Sequence, residues 1–299
     1  MWEQQLQEIR AGNLKTLARC ISLVENEAPD YEELLMKLPP STIPVVGITG
    51  PPGAGKSTLT DALIGEFVSK QKKVCVICVD PSSPFNMGAL LGDRIRMSEW
   101  YDHPGVFIRS LASRGALGGL HPAIIPITDL VRSAPFDMVL VETVGVGQSE
   151  VEIAGLADIT VVVLVPESGD EVQTMKAGLM EIADIFVVNK SDRPDADLFV
   201  KNLRSMLSPA LMQNHEIPVI KTIATEKKGT TELYNILVEQ SAHPVNNEKH
   251  HFLLAEKAFI LVQQKRMAGI NKLELAKEIK QLKQEGAFNL YRFIKKYTG

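Results

Sequence analysis

Residues 44–58 read PVVGITGPPGAGKST, a sequence that predicts a strand, a glycine-rich turn and a helix. The apolar run from Pro44 to Thr49 has the length and composition of a strand that is buried on both faces of a parallel sheet. The glycine-rich turn after it fits the pattern G-x-x-x-x-G-K-S/T, and the apolar residues beyond Ser57 have helical spacing. A strand, a glycine-rich loop and a helix in this order form a phosphate-binding loop (P-loop), because glycines let backbone N–H groups turn inward around phosphate oxygens.

We expect this loop to bind the phosphates of a nucleotide. The N-terminus of the following helix adds partial positive charge, Lys56 would bridge the β- and γ-phosphates, and the Ser57 hydroxyl would bind Mg²⁺. A turn that only joins strand to helix is the competing interpretation, and the complete pattern in this context disfavours it. The predicted nucleotide-binding residues of the loop are Gly50, Pro51, Pro52, Gly53, Ala54, Gly55, Lys56, Ser57 and Thr58.

Further apolar runs indicate more strands of the same sheet. They cover residues 74–79, 106–109, 138–141, 159–165, 185–188 and 218–222. Because helical-length segments separate most of them, the pattern predicts an α/β fold with a doubly wound, mostly parallel sheet. Helical spacing also marks residues 3–36 and the tail from residue 248. We therefore expect a helical N-terminal extension (residues 1–40), a P-loop domain (41–242) and a helical C-terminal segment (243–299).

Composition excludes several classes of protein. The chain of 299 residues is 45% hydrophobic and 23% charged, as is typical of globular proteins, and its apolar runs are far shorter than the ~20 residues that span a bilayer. Three cysteines cannot form a disulfide framework, and the first residues lack the apolar core of a secretory signal, so we expect a cytoplasmic location and no membrane partner. The net charge of −4 argues against nucleic-acid binding. Residues 246–299 carry eleven basic and five acidic residues, which leaves a net charge of −10 on the rest of the chain. This shift in charge suggests a domain boundary near residues 242–247.

The base of the nucleotide is expected beside the sequence Asn-Lys-Ser-Asp at 189–192. This sequence follows the predicted strand 185–188, about 135 residues after the P-loop, and the carboxyl ends of parallel strands are where such sheets bind ligands. The Asp192 carboxylate would accept hydrogen bonds from N1–H and the exocyclic amine of guanine, which adenine lacks. Two charge-assisted bonds of about 1.5–3 kcal/mol each would favour guanine by about 10²–10⁴-fold. A helix cap is the alternative for these four residues, and their position favours GTP.

Two other segments would complete the base site. The alkyl stem of Lys190 would cover one face of the base. The segment Ile223-Ala224-Thr225 follows the last predicted strand and would offer backbone N–H groups to guanine O6. The predicted base-binding residues are Asn189, Lys190, Asp192, Ile223, Ala224 and Thr225.

Three acids at strand ends or in nearby loops are candidates for the Mg²⁺ site. They are Asp80, Asp93 and Glu142. Mg²⁺ prefers oxygen ligands and keeps several waters, so these carboxylates and Ser57 are the predicted metal-binding residues. The alternatives are a turn cap for Asp80, a surface acid for Asp93 and a salt bridge at a strand end for Glu142.

Glu142 also begins the sequence Glu-Thr-Val-Gly, where many GTPases carry Asp-x-x-Gly. The Gly145 N–H would contact the γ-phosphate and lose this contact on hydrolysis, so that the segment acts as an order–disorder switch. Lys56, Asp93, Glu142 and Gly145 are therefore the predicted catalytic residues. Val146 follows where Ras-like proteins place a water-orienting Gln, so we expect slow intrinsic hydrolysis that a partner completes.

Several further stretches carry a resemblance to a known family. They are VDPSS (79–83), LGDR (91–94), RGALGG (114–119) and ETVGVGQSE (142–150). With the P-loop and the base sequence, they make the chain similar to the MeaB/ArgK family of P-loop GTPases over nearly its whole length. The resemblance implies a homodimer formed partly through the C-terminal helices. It also implies a chaperone of an adenosylcobalamin-dependent acyl-CoA mutase, usually methylmalonyl-CoA mutase, that gates cofactor loading and protects the mutase.

Residues 169–176 resemble the third switch of that family, which couples the nucleotide state to the mutase. Gln173 and Lys176 would lie on one face of a helix there, and a solvated helical turn is the alternative. Residues 86–89 and Ile95 depart from the family pattern, so no first-switch hydroxyl is assigned to Mg²⁺. Ile223 stands where relatives carry Ser, so only its backbone contacts carry over.

Two other functions remain open. A nickel-delivering GTPase of similar architecture would need a His- or Cys-based metal site. The pair Cys75 and Cys78 does not provide one, because residues three apart in a strand point to opposite faces. A kinase linked to amino-acid transport would need an acceptor pocket and a catalytic base, and no sequence pattern indicates either.

Overall fold

The computed structural model describes residues 2–80, 97–113, 120–144, 149–168, 182–207, 217–242 and 247–298. The chain divides into two compact units, Met1–Leu253 and Leu254–Gly299. The strands of the first unit are β1 (Val45–Thr49), β2 (Val74–Asp80), β3 (Val106–Ala112), β4 (Met138–Glu142), β5 (Ile159–Leu164), β6 (Ile185–Val188) and β7 (Val219–Lys221). Its helices are α1 (Trp2–Arg10), α2 (Leu14–Glu25), α3 (Tyr31–Met36), α4 (Lys56–Ser69), α5 (Ile124–Val131), α6 (Ser149–Leu156), α7 (Ala196–Leu207) and α8 (Thr230–Ala242).

The described strands form one seven-stranded sheet in the order β3-β2-β4-β1-β5-β6-β7, and every neighbouring pair is parallel. The prediction of a doubly wound parallel sheet is therefore confirmed. Strands β2 and β4 extend past their apolar runs to Asp80 and Glu142, because backbone pairing continues there: Asp80 pairs with Ala112, and Cys78 pairs with Glu142. The apolar pattern could not show this extension, since ladder hydrogen bonds do not depend on side-chain type.

Helices cover both faces of the sheet. Alternate residues of β5 divide between two clusters of buried side chains, as the period of a strand requires. Val161 and Val163 pack in the cluster that contains α4 and α8, whereas Val162 and Leu164 pack in the cluster that contains α7. Strands buried on both faces explain why their sequences are continuous apolar runs rather than alternating ones.

The N-terminal extension consists of α1, α2 and α3 and packs against the sheet domain through contacts between α2 and α5. The Asn13 side chain caps α2 by accepting hydrogen bonds from the N–H groups of Lys15 and Thr16, each at 3.1 Å. An ion pair ties α2 to β3, with Arg109 Nη2 2.5 Å from Glu25 Oε2. Two to three short helices were expected here, and three are present.

The second unit contains most of α9 (Asn247–Met267) together with α10 (Lys272–Gln284) and α11 (Leu290–Thr298). Its apolar side chains are largely exposed: Phe259 is 66% accessible and Leu273 is 73% accessible. A small cluster of rings forms where Phe293 meets Phe288 and Tyr297. None of the helices in the described part of the chain has the length and apolar character that a membrane crossing requires.

Candidate functional site

The P-loop joins β1 to α4 and has a backbone that glycine permits. Gly50 has φ +141°, and a β-carbon there would lie 2.1 Å from the carbonyl oxygen of Val163. Gly55 has φ +88°, and a β-carbon there would lie 2.4 Å from Asn189 Nδ2. Neither position therefore accepts another residue without distortion of the loop.

The ammonium group of Lys56 lies inside this loop. Lys56 is 7% exposed, and its Nζ donates to the carbonyl oxygens of Gly50 at 2.9 Å and Pro51 at 3.1 Å. The loop thus holds a positive charge in place, where a phosphate would meet it together with the N-terminus of α4. Ala54 is buried, Thr58 is half-buried, and Pro52 and Gly53 are exposed.

Ser57 and Glu142 meet at the end of β4. Ser57 Oγ donates to Glu142 Oε1 at 2.6 Å, and Thr60 Oγ1 lies 2.9 Å from Glu142 Oε2. Asp80 ends the neighbouring strand β2, two residues beyond the partner of Glu142 in the ladder, and both acids are 3% exposed. The structure therefore brings three of the four predicted metal-binding residues to adjacent strand ends and the helix beside them.

The chemistry of these groups fits Mg²⁺. A hydroxyl and two carboxylates supply hard oxygen donors, and the metal would complete its coordination with waters and phosphate oxygens. Among the described residues, no group of three or more His, Cys, Asp or Glu could hold a metal ion on its own. Ser57, Asp80 and Glu142 are the residues that would hold the ion, whose positive charge would offset the negative charge that develops on the phosphates during hydrolysis.

A cleft of about 220 Å³ lies between the P-loop and the base sequence. Asp192 is exposed and lines this cleft, as do Gly55 and Thr58 from the phosphate side. The remaining lining residues are Asn189, Lys190, Arg193, Ile223, Ala224 and Thr225. Residues that sequence analysis assigned to phosphates and residues that it assigned to the base thus share one cavity.

Two of the backbone donors proposed for guanine O6 have partners within the protein. The Ile223 N–H donates to the carbonyl of Lys228 at 3.1 Å, and the Ala224 N–H donates to Asn189 Oδ1 at 3.1 Å. A guanine oxygen would therefore share these two donors with protein acceptors.

Asn189 physically links the two halves of the site. Its Nδ2 donates to the carbonyl of Ala54 in the P-loop at 2.9 Å, and its Oδ1 accepts from Thr222 Oγ1 at 3.0 Å as well as from the Ala224 N–H. Beside it, Lys190 Nζ donates to the carbonyl of Gly53 at 2.7 Å. Because Asn189 is only 2% exposed, water does not replace these bonds, and the P-loop and base loops are fixed relative to one another.

An ion pair lies at the rim of the cleft. Arg193 lines the cleft and donates to Glu167, which follows β5. The hydrogen bond from Arg193 lowers the pKa of the Glu167 carboxyl. Both side chains are about half exposed, so this ion pair contributes little to the free energy of unfolding.

Several predicted residues lie outside the described part of the chain. They are Asp93 of the metal and catalytic set, Gly145 of the catalytic set, and the switch residues Gln173 and Lys176. The departures from the family pattern at 86–89 and Ile95 also lie there.

Thr60 and Thr222 are two site residues that were not predicted from the sequence, and they hydrogen-bond to Glu142 and Asn189 respectively. Thr60 had a recognisable signal, because it lies three residues after Ser57 on the same face of α4. Thr222 had none, since its partner Asn189 is 33 residues away in sequence.

The two neighbouring cysteines of the sheet are buried. Cys75 and Cys78 are both buried in β2, and burial raises the pKa of the Cys75 thiol far above its ordinary value.

The chain matches the following family model, two proteins and solved structure. The family model described as methylmalonyl-CoA mutase-associated GTPase MeaB matches residues 17–273. A protein of Pyrococcus abyssi named as a GTPase is 48% identical over 245 residues, which are 80% of this chain and 76% of that protein. A fused isobutyryl-CoA mutase of Cupriavidus metallidurans is 37% identical over 245 residues, which are 78% of this chain and 22% of that protein. Among solved structures, an LAO/AO transport system kinase superposes with a TM-score of 0.67 at 25% identity, covering 99% of this chain and 96% of the other.

Proposed function

The chain belongs to the MeaB family of methylmalonyl-CoA mutase-associated GTPases and is a GTPase, and from this premise we propose that it serves as the chaperone of an adenosylcobalamin-dependent acyl-CoA mutase. The GTPase would gate the loading of the cofactor and protect the mutase. The client is an acyl-CoA mutase, with methylmalonyl-CoA mutase as the leading candidate.

One observation supports the nucleotide site above all others. Asn189 donates to Ala54 and accepts from Ala224, so a single buried side chain holds the phosphate loop and the base loops together. A link of this kind is expected where the two loops bind opposite ends of one molecule. With Asp192 in the same cleft, that molecule is a guanine nucleotide.

The proposed hydrolysis divides the work among a few residues. Lys56 would contact the β- and γ-phosphates, while Ser57, Asp80, Asp93 and Glu142 would hold Mg²⁺ directly or through waters. Gly145 would report the presence of the γ-phosphate through its N–H. Since Val146 cannot orient water, hydrolysis by the chain alone would be slow, and the client would complete the site.

The link to a mutase has two supports. The matching family is described by its association with methylmalonyl-CoA mutase, and a relative carries a matching segment within a fused isobutyryl-CoA mutase. In our proposal, Gln173 and Lys176 in the segment 169–176 transmit the nucleotide state to the mutase. Lys176→Ala should therefore weaken hydrolysis stimulated by the mutase more than it weakens GTP binding.

The C-terminal helices, residues 243–299, are the proposed dimerisation segment. Their exposed apolar side chains include Phe259, Val262 and Leu273, each more than half accessible. A second copy of the chain would cover these side chains, and this is the support for the assignment. We assign the protein to the cytoplasm because none of its three cysteines is in a disulfide, which fits a reducing compartment.

The test is GTP hydrolysis by the purified protein with and without a purified adenosylcobalamin-dependent acyl-CoA mutase. The proposal predicts slow release of phosphate alone and clear stimulation by the mutase, with Lys176→Ala reducing the stimulation. It also predicts that the complex with the mutase differs in affinity between GDP and a non-hydrolysable GTP analogue. Unchanged hydrolysis and equal affinities with methylmalonyl-CoA and isobutyryl-CoA mutases would refute the chaperone role.

A further inference from the structure

Thr60 lies on α4, one turn after the P-loop, and is completely buried. We propose that Thr60 is a positioning residue for Glu142, holding the carboxylate in the orientation that Mg²⁺ binding requires. The inference rests on the proposed role of Glu142 at the Mg²⁺ of a bound guanine nucleotide.

Both oxygens of Glu142 have a hydroxyl partner on α4. Ser57 Oγ donates to Oε1 at 2.6 Å, and Thr60 Oγ1 lies 2.9 Å from Oε2. Two partners on different oxygens fix the rotation of the carboxylate about its last bond, which one partner alone does not. Ser57 is the residue proposed to bind the metal, whereas Thr60 has no proposed role at the metal and can keep its bond to Glu142 whatever Ser57 binds.

The Thr60 hydroxyl has one proton and two acceptors within reach. These are Glu142 Oε2 at 2.9 Å and the backbone carbonyl of Lys56 at 3.0 Å. A hydrogen bond to a carboxylate is charge-assisted and stronger than one to a carbonyl, so the Thr60 hydroxyl donates mainly to Glu142. The bond to Lys56 is the ordinary one that a helical threonine makes with the residue four positions earlier.

Burial makes this contact hard to replace. Thr60 is 0% exposed and Glu142 is 3% exposed, so solvent does not substitute for a lost hydroxyl. Valine has the shape of threonine without the donor, and serine has the donor without the methyl group. Thr60→Val and Thr60→Ser therefore separate the hydrogen bond from the packing.

Thr128 provides a matched control. It is also 0% exposed and donates to the carbonyl four residues earlier, that of Ile124, at 2.7 Å. Thr128→Val removes a buried helical hydroxyl in α5 without touching an acid of the site. It therefore reports what loss of such a backbone bond does by itself.

The experiment measures release of a fluorescent GDP analogue as the Mg²⁺ concentration is varied, and in EDTA. Removing a residue that orients a metal ligand commonly costs ten-fold or more in metal affinity, so Thr60→Val should raise the half-saturating Mg²⁺ concentration about ten-fold. Release in EDTA should match the wild-type rate. Thr60→Ser should restore the wild-type Mg²⁺ requirement, and Thr128→Val should leave it unchanged.

A second comparison uses Glu142→Gln as the background. If Thr60 acts through Glu142, then Thr60→Val adds no further change in Mg²⁺ requirement to Glu142→Gln. Urea unfolding shows that each variant is folded, and Thr60→Ala takes the place of Thr60→Val should valine prevent folding.

Three results would overturn the inference. A wild-type Mg²⁺ requirement in Thr60→Val would do so while leaving the proposed function intact. Equal acceleration of release in EDTA and in Mg²⁺ would show a structural role instead. If the rate of GDP release from the wild-type protein does not depend on the Mg²⁺ concentration, both the proposed metal site and the inference are overturned.

Discussion

Replacing Asn189 with alanine should separate the two halves of the nucleotide site. The native side chain makes three hydrogen bonds, to the Ala54 carbonyl, the Thr222 hydroxyl and the Ala224 N–H, at 2.9, 3.0 and 3.1 Å. Asn189→Ala removes all three and leaves their partners facing an apolar methyl group. The loops would then be free to move relative to each other.

The size of the effect follows from these contacts. A buried hydrogen bond contributes about 1 kcal/mol net, so three give about 3 kcal/mol. If the whole of this energy served to hold the cleft in its binding conformation, the affinity for GDP would fall about a hundred-fold. Part of it also stabilises the fold, so we expect a loss of affinity between ten-fold and a hundred-fold, with the remainder appearing as a lower free energy of unfolding.

The assay is an equilibrium titration with a fluorescent GDP analogue, combined with urea unfolding without nucleotide. Asn13→Ala is the matched control, because Asn13 accepts two backbone hydrogen bonds at 3.1 Å in the N-terminal extension, as the cap of α2. It should lower the free energy of unfolding by about 0.5–2 kcal/mol and leave the affinity for GDP unchanged. If Asn189→Ala is folded and its affinity for GDP lies within two-fold of that of the wild type, the hydrogen bonds of Asn189 have no role in binding.

Three further changes have defined outcomes. Asp192→Asn replaces one carboxylate acceptor with an amide donor, so it should weaken GDP binding by about 10²-fold or more and improve the binding of xanthosine diphosphate. Titration with each nucleotide measures this, and an unchanged preference for GDP over xanthosine diphosphate would exclude Asp192 from base recognition. Gly55→Ala would place a methyl group 2.4 Å from Asn189 Nδ2 at φ +88°, so it should abolish GDP binding, and wild-type affinity would show that the loop relaxes at no cost. Burial alone would raise the pKa of the Glu66 carboxyl, but hydrogen bonds, above all from Lys70, hold that pKa below 4.5. The resulting stabilisation is present above pH 4.5 and is lost as the pH falls below it. When urea unfolding is repeated at pH 3, the wild type should therefore lose about 0.5–1 kcal/mol more unfolding free energy than Glu66→Gln. An equal loss in both proteins would contradict this.

Much of the fold was predictable because buried positions require apolar residues, which can be read in the sequence. The strand Ile185–Val188 matches its apolar run residue for residue, since every side chain of that strand is buried. Strand β2 extends to Asp80, beyond the end of its apolar run, because backbone pairing carried an acid into the ladder. Sequence patterns report side-chain burial, and they do not report where a ladder ends.

The site was predictable where a local pattern has a chemical reason. The P-loop and the sequence at 189–192 could be recognised because the glycines, Lys56 and Asp192 are each required by one end of a nucleotide. The contacts between these segments could not be predicted. Asn189 meets Ala54 across 135 residues, and Thr60 meets Glu142 across 82, so only the parallel sheet that aligns their strand ends brings them together.

The most direct test of the central claim is a competition titration in which GTP and ATP displace a fluorescent GDP analogue from the wild-type protein in Mg²⁺. A single cleft with a P-loop at one end and Asp192 at the other predicts displacement by GTP at a concentration at least 10²-fold lower than that of ATP. Displacement by both nucleotides at the same concentration would contradict it, because the carboxylate would then play no part in selecting the base.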